Sequence, residues 1–243
     1  MRVAVVSDIH GNVTALDAVI ADLKHVGADL VVHGGDLVGG GSSAADVIDR
    51  VRDLGWPGVY GNTDEMLWRP SRVSETLQAP QLRRVHDFLM TYTIPATLEA
   101  IGEQRLAWLR ALPVGWGSGD LAVVHAAPED AWHSVFATAP DDELESVYGR
   151  LAARSVVYGH IHQPFVRRLK AFVLVNSGSV SQSFDGDPRA AYALIEDDRI
   201  EIRRVEYDVE KEIARLPAGD PFAVSTAQTL RTGRYAPLPP DEA

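Results

Sequence analysis

At 243 residues, the chain has the length of one large α/β domain or of two small domains. Its 46% hydrophobic and 23% charged residues make a globular composition and exclude a disordered or fibrous protein. A formal net charge of −11 argues against broad binding to nucleic-acid backbone, and zero cysteines exclude disulfides, thiolate metal sites and a cysteine nucleophile. A phosphate substrate stays open, because bound divalent cations would reverse the local field. The lack of cysteine fits a reducing cytoplasm, the expected location. The longest stretch without Asp, Glu, Lys or Arg is Ala171 to Phe184, 14 residues. That is short of the ~20 apolar residues of a spanning helix, so no membrane segment is expected. Arg2 leads into an apolar run broken at Asp8 and His10, which does not read as a signal peptide.

Val3 to Ser7 reads as a buried strand. Leu16, Val19, Ile20, Leu23 and Val26 then mark one face of a helix that starts near Asn12 and stops at Gly27. Leu30 to His33 is a second strand, Ala44 to Leu54 a second helix, and Gly58 to Tyr60 a third short strand. This β-α-β-α-β order implies a sheet whose first part is parallel and covered on both faces. From about residue 65 to 112, Pro70, Pro80 and Pro95 interrupt a mostly helical insertion, with helices around Leu82 to Leu89 and Leu98 to Leu109. Strands resume at Leu121 to Val124, Ser155 to Tyr158, Phe172 to Val175 and Ala191 to Ile195. Ile200 to Val205 alternates apolar and charged residues, as an edge strand does, and pairs with the preceding strand through a hairpin at Asp197-Asp198. Residues 209–234 are expected to form a helical extension packed on the domain, and 235–243, rich in proline and acidic at the end, a disordered tail.

Chemistry-bearing residues recur where strands end. Asp8, His10 and Asn12 follow the first strand, Gly34-Gly35-Asp36 the second, and Gly61-Asn62-Thr63-Asp64 the third. His125 ends a later strand, and Gly159-His160-Ile161-His162 the next. Strand C-termini line the ligand crevice of an open α/β sheet, so these residues meet at one edge. Asp8, His10, Asp36, Asn62, His125, His160 and His162 are too many nitrogen and oxygen ligands for one ion. They suit two divalent ions sharing a carboxylate. Mixed imidazole and carboxylate donors favour Mn, Fe, Zn, Co or Ni over Mg or Ca.

Other motifs carry less. Gly39-Gly40-Gly41 lacks the following Lys-Ser or Lys-Thr of a phosphate loop, and reads as a loop skirting the metal site. The alternation around His33 points it away from Asp36, into the core. His25, His86 and His133 have no partner pattern and read as surface or insertion residues, His133 with a lesser claim to line the cleft. Arg167, Arg168 and Lys170 read as a solvated strand face, with a lesser claim to hold the distal phosphate of a larger substrate.

The blocks Ser7 to Asn12, Gly35-Asp36, Gly61-Asn62-x-Asp64, His125 and Gly159-His-x-His162 resemble, in order and separation, the five motifs of the calcineurin-like metallophosphoesterases. Val175 to Val180 and Asp185-Gly-Asp-Pro188 are similar to the small prokaryotic branch of that superfamily. The resemblance covers roughly residues 1–208 and implies an α/β fold, an αββα sandwich of two mixed sheets flanked by helices, with the helical insertion beside it. It implies two divalent ions, manganese foremost. Asp8, His10 and His162 would hold the first, Asn62, His125 and His160 the second, and Asp36 would bridge. It further implies hydrolysis of phosphodiester or phosphoanhydride bonds in a small phosphate ester or nucleotide, by attack of a hydroxide bridging the ions. Asp36, Asn62, His125 and Asp64 would act in catalysis, Asp64 by accepting a hydrogen bond from a ligand or by orienting the Asn62 loop. Asn12, the Gly34-Gly35 backbone and Thr63 would lie near substrate.

One position departs from the pattern. Thr63 stands where the family usually has the histidine assigned to protonating the leaving group, and a threonine hydroxyl cannot deliver a proton as imidazolium does. Two further readings therefore accompany the phosphodiesterase. One is a metal-binding scaffold with little turnover. The other, within enzymes, is a phosphomonoesterase, protein phosphatase or dinucleoside polyphosphate hydrolase. The insertion follows the Asn62 loop directly and is expected to flank the crevice and limit substrate size.

Overall fold

The computed structural model describes residues 1–197, 199–220 and 222–238. The strands are β1 (Arg2–Val6), β2 (Leu30–His33), β3 (Gly115–Ser118), β4 (Leu121–Val124), β5 (Ser155–Tyr158), β6 (Phe165–Arg168), β7 (Val173–Asn176), β8 (Ala190–Glu196) and β9 (Arg199–Val205). They form two mixed sheets, ordered β2-β1-β8-β9 and β3-β4-β5-β7-β6. In the first, β1 pairs parallel with β2, Val3 opposite Leu30, and antiparallel with β8, Val3 opposite Ile195. In the second, β4, β5 and β7 run parallel, with β3 and β6 antiparallel at the edges.

Side-chain alternation along the strands makes the sandwich. Successive strand residues face opposite ways, so β1 sends Val3 and Val5 to one side and Ala4 and Val6 to the other. Val3, Val5, Val32, Ala193 and Ile195 of the first sheet meet Val123, Val157 and Val175 of the second between the sheets. Each of the fully buried valines among them contributes about 1.5–3 kcal/mol. The outer face of the first sheet packs on α1 (Val13–Val26), α2 (Ala44–Asp53) and the insertion. The outer face of the second, through Val124, Val156, Tyr158 and Leu174, packs on Leu144 and Tyr148 of α7 (Asp141–Tyr148). The expected αββα sandwich is the fold.

Between α2 and β3 lie α3 (Asn62–Glu65), α4 (Ser71–Thr76), α5 (Arg83–Phe88), a π-helical turn at Leu89–Thr93 and α6 (Ile94–Arg110). Helix α6 begins earlier than the Leu98 periodicity predicts. It continues directly from the π-helical turn, whose last bond runs from Ile94 N to Leu89 O just before Pro95, which has no N–H to donate, and it is kinked at Gly102, where φ is 66° and ψ 173°. Arg105 of α6 binds Asp49 of α2, Nε to Oδ1 at 3.0 Å, anchoring the insertion. After β9 come α8 (Val209–Ile213) and α9 (Ala223–Thr232).

Three expectations change. Gly58 to Tyr60 is not a strand but one parallel bridge, Gly58 to His33. Pro57 has no N–H to extend the ladder, and the chain turns at Gly61 into α3. β3 and α7 lie outside the expected elements, Gly115 and Gly117 hiding the strand period of β3, while β6 contains Arg167 and Arg168, the expected solvated strand face. Of the tail expected to be disordered, 239–243 lie outside the described residues. Ala236 is buried, its amide donating to Thr229 Oγ1 at 3.1 Å, and Pro237 accepts from Ser225 Oγ at 2.8 Å.

Candidate metal centre

Asp8 and His10 follow β1, Asp36 follows β2, Asn62 opens α3 after the Gly58 bridge, His125 follows β4, and His160 and His162 follow β5. The structure brings all seven together. His162 Nε2 lies 3.2 Å from Asp8 Oδ1 and 3.2 Å from His10 Nε2. Asn62 Oδ1 lies 2.8 Å from His160 Nδ1 and 3.0 Å from His125 Nε2, and those two nitrogens are 3.2 Å apart. Between the groups, one oxygen, Asp36 Oδ2, lies 3.7 Å from His10 Nε2 and 3.5 Å from His125 Nε2.

The local backbone is unusual in the same places. Asp8, His10, Asp36, His160 and His162 all take left-handed conformations, with φ of 58°, 50°, 52°, 64° and 54°. Such conformations cost a non-glycine residue about 1–3 kcal/mol and persist only where the surroundings enforce them. Here loop-to-loop bonds do so: Asp8 N to Gly35 O at 3.0 Å, His10 N to Asp36 O at 2.9 Å and Gly159 N to His125 O at 2.9 Å. Two glycines permit the approach. A Cβ on Gly35 would sit 2.5 Å from Gly61 N, and one on Gly159 would overlap the Asp8 carboxylate.

The imidazoles are oriented for ligation. Nδ1 of His10, His125 and His162 faces the carbonyls of Gly39, Gly34 and Gln182 at 2.7, 2.8 and 2.6 Å. A carbonyl only accepts, so each Nδ1 carries the proton and each Nε2 presents a lone pair to the centre. His160 instead turns Nδ1 inward, and its backbone N–H donates to the Asp8 carboxylate.

Charge follows from burial and neighbours. Burial lowers the pKa of His10 and His125, and burial with the adjacent His125 brings His160 down to about 4, so these rings are neutral ligands near pH 7. Burial alone would raise Asp8 and lower His162. Their mutual attraction reverses both, holding Asp8 below and His162 above the ordinary value. Burial raises Asp36. A buried set of carboxylates and imidazoles, three of the rings neutral and all aimed at one another, is chemically matched to bound divalent metal. Asp8, His10 and His162 form one group able to hold an ion, and Asp8, Asp36 and His125 another.

The remaining predicted residues have other places. Asp64 is buried beneath the Asn62 turn, its oxygens accepting from the amides of Leu37, Val38 and Gly61 at 3.0, 3.3 and 2.9 Å. These bonds join the Asn62 turn to the loop after Asp36. Burial and the neighbouring Asp36 carboxylate push its pKa up to about 8, against those three donors. Asn12, expected near substrate, is fully buried: Oδ1 accepts from Ala15 N at 2.8 Å and Nδ2 donates to Ser181 Oγ at 3.1 Å. It caps α1 instead, because the chain must enter the helix directly behind His10. Gly35 is buried too and joins the β1 and β2 turns rather than facing the cleft.

Thr63 is half-buried at the edge of the centre. His33 is buried in the core beside Trp108. His133 is exposed and paired with Asp130 at 2.9 Å. Arg167 binds the carbonyls of Ala137 and Ala139, and Lys170 lies near Glu145, as structural surface contacts. Sequence reasoning gave no role to three positioning residues, of which Asn176 and Ser179 lie in the Val175 to Val180 block and Gln182 just after it. Gln182 orients His162 through its carbonyl, Asn176 Nδ2 donates to Gly159 O at 2.6 Å, and Ser179 Oγ to Asp8 O at 2.8 Å. The Asn176 to Ser183 run, dense in serine before β8, was the available signal.

Comparison with known proteins gives the same picture. A protein of Methanocaldococcus jannaschii described as uncharacterized is 30% identical over 240 residues, covering 88% of this chain and 91% of its own. The crystal structure of a metallophosphoesterase from Sphaerobacter thermophilus superposes with a TM-score of 0.77 at 25% identity, over 96% of this chain and 99% of that one. A hypothetical protein from Pyrococcus horikoshii shares the fold at the same TM-score and 20% identity, over 96% and 98%. Residues 1–199 match the sequence profile of the calcineurin-like phosphoesterase superfamily domain. With four strand ends and the Gly58 bridge delivering aspartate, asparagine and histidine to one buried cluster, the chain belongs to the calcineurin-like phosphoesterase superfamily.

Proposed function

We propose that the protein is a binuclear-metal-dependent hydrolase of phosphodiester or phosphoanhydride bonds in a small phosphate ester or nucleotide. The observation that carries this reading is the place of Asp36 Oδ2, within 3.7 Å of a ligand nitrogen from each group, where one carboxylate can serve two ions. Asp8, His10 and His162 would hold the first ion, and Asn62, His125 and His160 the second. Manganese is the proposed metal. When bound, such a pair supplies water acidified to near neutral pH and neutralises charge on the phosphoryl oxygens.

The chain's own contribution is orientation. The carbonyls of Gly39, Gly34 and Gln182 fix three ring tautomers. Thr63 N, donating to Asp36 Oδ1 at 2.8 Å, leaves Oδ2 to the centre. Thr63 offers the leaving oxygen no acid, because a hydroxyl does not release a proton near neutral pH. That feature favours a second reading, a metal-binding scaffold with little turnover. Steady-state hydrolysis of bis(p-nitrophenyl) phosphate with added Mn²⁺ separates the two. Metal-dependent turnover supports the hydrolase, and bound metal without turnover supports the scaffold.

A further inference from the structure

A cavity of about 300 Å³ opens beside the metal centre, with His10 and Thr63 among its lining. Its outer walls come from outside the ligand blocks. Phe88 at the end of α5, Leu89 and Tyr92 on the π-helical turn and Thr97 on α6 form one side, and Asp220 and Phe222 before α9 the other. The volume lies at the lower end of the ~300–1,000 Å³ of small-molecule sites, enough for one nucleoside-sized group.

The lining is aromatic with a few polar groups. Phe88 stacks on Tyr92, centroids 5.0 Å apart at 24°, and lies 3.9 Å from the Phe222 ring at 38°. These contacts join the insertion to the C-terminal segment directly beside the centre. π-helical turns are rare and concentrate at functional sites, and this one lines the cavity. Asp220 Oδ1 accepts from Phe222 N at 2.8 Å, and Asp220 and Tyr92 are polar residues in the lining.

An aromatic lining of Phe88, Tyr92 and Phe222 with a carboxylate acceptor and a hydroxyl matches a nucleobase, whose ring packs on aromatic surface and whose rim carries N–H donors. An alkyl chain would desolvate Asp220 and Tyr92 without replacing their partners, and a bare sugar phosphate would leave the rings unmatched. We propose that this cavity takes the nucleobase of a nucleotide whose phosphoryl group lies at the metal centre. The proposal rests on the phosphoesterase reading above and adds the substrate class.

The test pairs binding with turnover on the full chain loaded with Mn²⁺. Calorimetry compares AMP and UMP with ribose 5-phosphate, which has no base. Both nucleotides should bind at least about fivefold more tightly, the lower end of what base–aromatic stacking contributes. Phe88→Leu keeps an apolar side chain but loses the flat face, and should remove most of that difference, whereas Phe88→Tyr should keep it. Thr97→Trp fills the cavity without removing a ring and should also remove it. The kcat/KM ratio of p-nitrophenyl thymidine 5′-phosphate to bis(p-nitrophenyl) phosphate should fall by about fivefold in Phe88→Leu and Thr97→Trp. Equal wild-type binding of AMP and ribose 5-phosphate, or a ratio unmoved in both variants, overturns the nucleobase site. Absence of turnover of either diester with metal bound overturns the phosphoesterase reading instead, and calorimetry still decides the nucleobase site on its own.

Discussion

The Thr63 hydroxyl donates to the Val38 carbonyl at 2.7 Å, tying the α3 turn to the loop after Asp36. The side chain at this position therefore braces the ligand loops. A leaving oxygen must then depart without a proton from residue 63, so rates should fall steeply as leaving-group pKa rises. Aryl esters and phosphoanhydrides should be good substrates and simple alkyl esters poor ones. Thr63→His should raise the alkyl-ester rate relative to the aryl-ester rate, within the roughly 10²–10⁴ that a positioned general acid contributes. A leaving-group series on both proteins is the measurement, and a flat wild-type dependence would show that another group supplies the proton.

Asp36 contacts ligands of both groups, so Asp36→Asn should weaken both ions and abolish turnover. His10→Ala or His162→Ala should empty mainly the first position, and Asn62→Ala or His125→Ala the second. Elemental analysis under saturating Mn²⁺ reads the stoichiometry. One metal per wild-type chain, unchanged in the Asn62 and His125 variants, would rule out the binuclear centre.

Asp64 ties the Asn62 turn to the Asp36 loop through three amides. Asp64→Ala leaves those donors buried without an acceptor, and each such orphan costs about 1–3 kcal/mol. A loss of about 3 kcal/mol or more is expected in denaturant unfolding. Asp64→Asn keeps one acceptor oxygen, so it should lose less stability, yet still weaken Mn²⁺ binding by about 10–100-fold. Unchanged metal affinity in both variants would deny Asp64 its positioning role.

His33 is buried, and neither ring nitrogen has a hydrogen-bond partner among the described residues. Burial lowers its pKa from 6.5 to about 4. Between those values the unfolded chain binds a proton that the folded chain does not, so stability rises with pH from 4 to 6.5 and is level on either side. The loss on acidification is on the order of 3 kcal/mol. His33→Leu should remove that part of the pH dependence, which urea unfolding at pH 7, 5.5 and 4.5 would show as a shallower slope than wild type. Parallel slopes would mean that His33 is protonated in the folded state.

The candidate metal ligands were legible from the chain alone because strands announce themselves by apolar runs, and the residue after each run has a known place at the sheet edge. Asp8, Asp36, His125, His160 and His162 needed only that rule. The two-layer sandwich was not legible from the strands themselves, since Val3, Ala4, Val5 and Val6 are all apolar and only the structure shows which face each takes; it was expected from the resemblance of the five ligand blocks. Residues that act through long-range contacts carry no local signal. Asn12 has the chemistry of a substrate ligand, and only the packing of α1 behind His10 commits its side chain to a helix cap. Phe88 and Phe222 sit in unrelated segments, and their contact beside the centre depends on how the insertion and the C-terminal segment fold back onto the sheet. Local propensity therefore determined the elements and the ligand-bearing ends, while tertiary packing decided which polar groups remain available to a metal or substrate and where the cavity beside them lies.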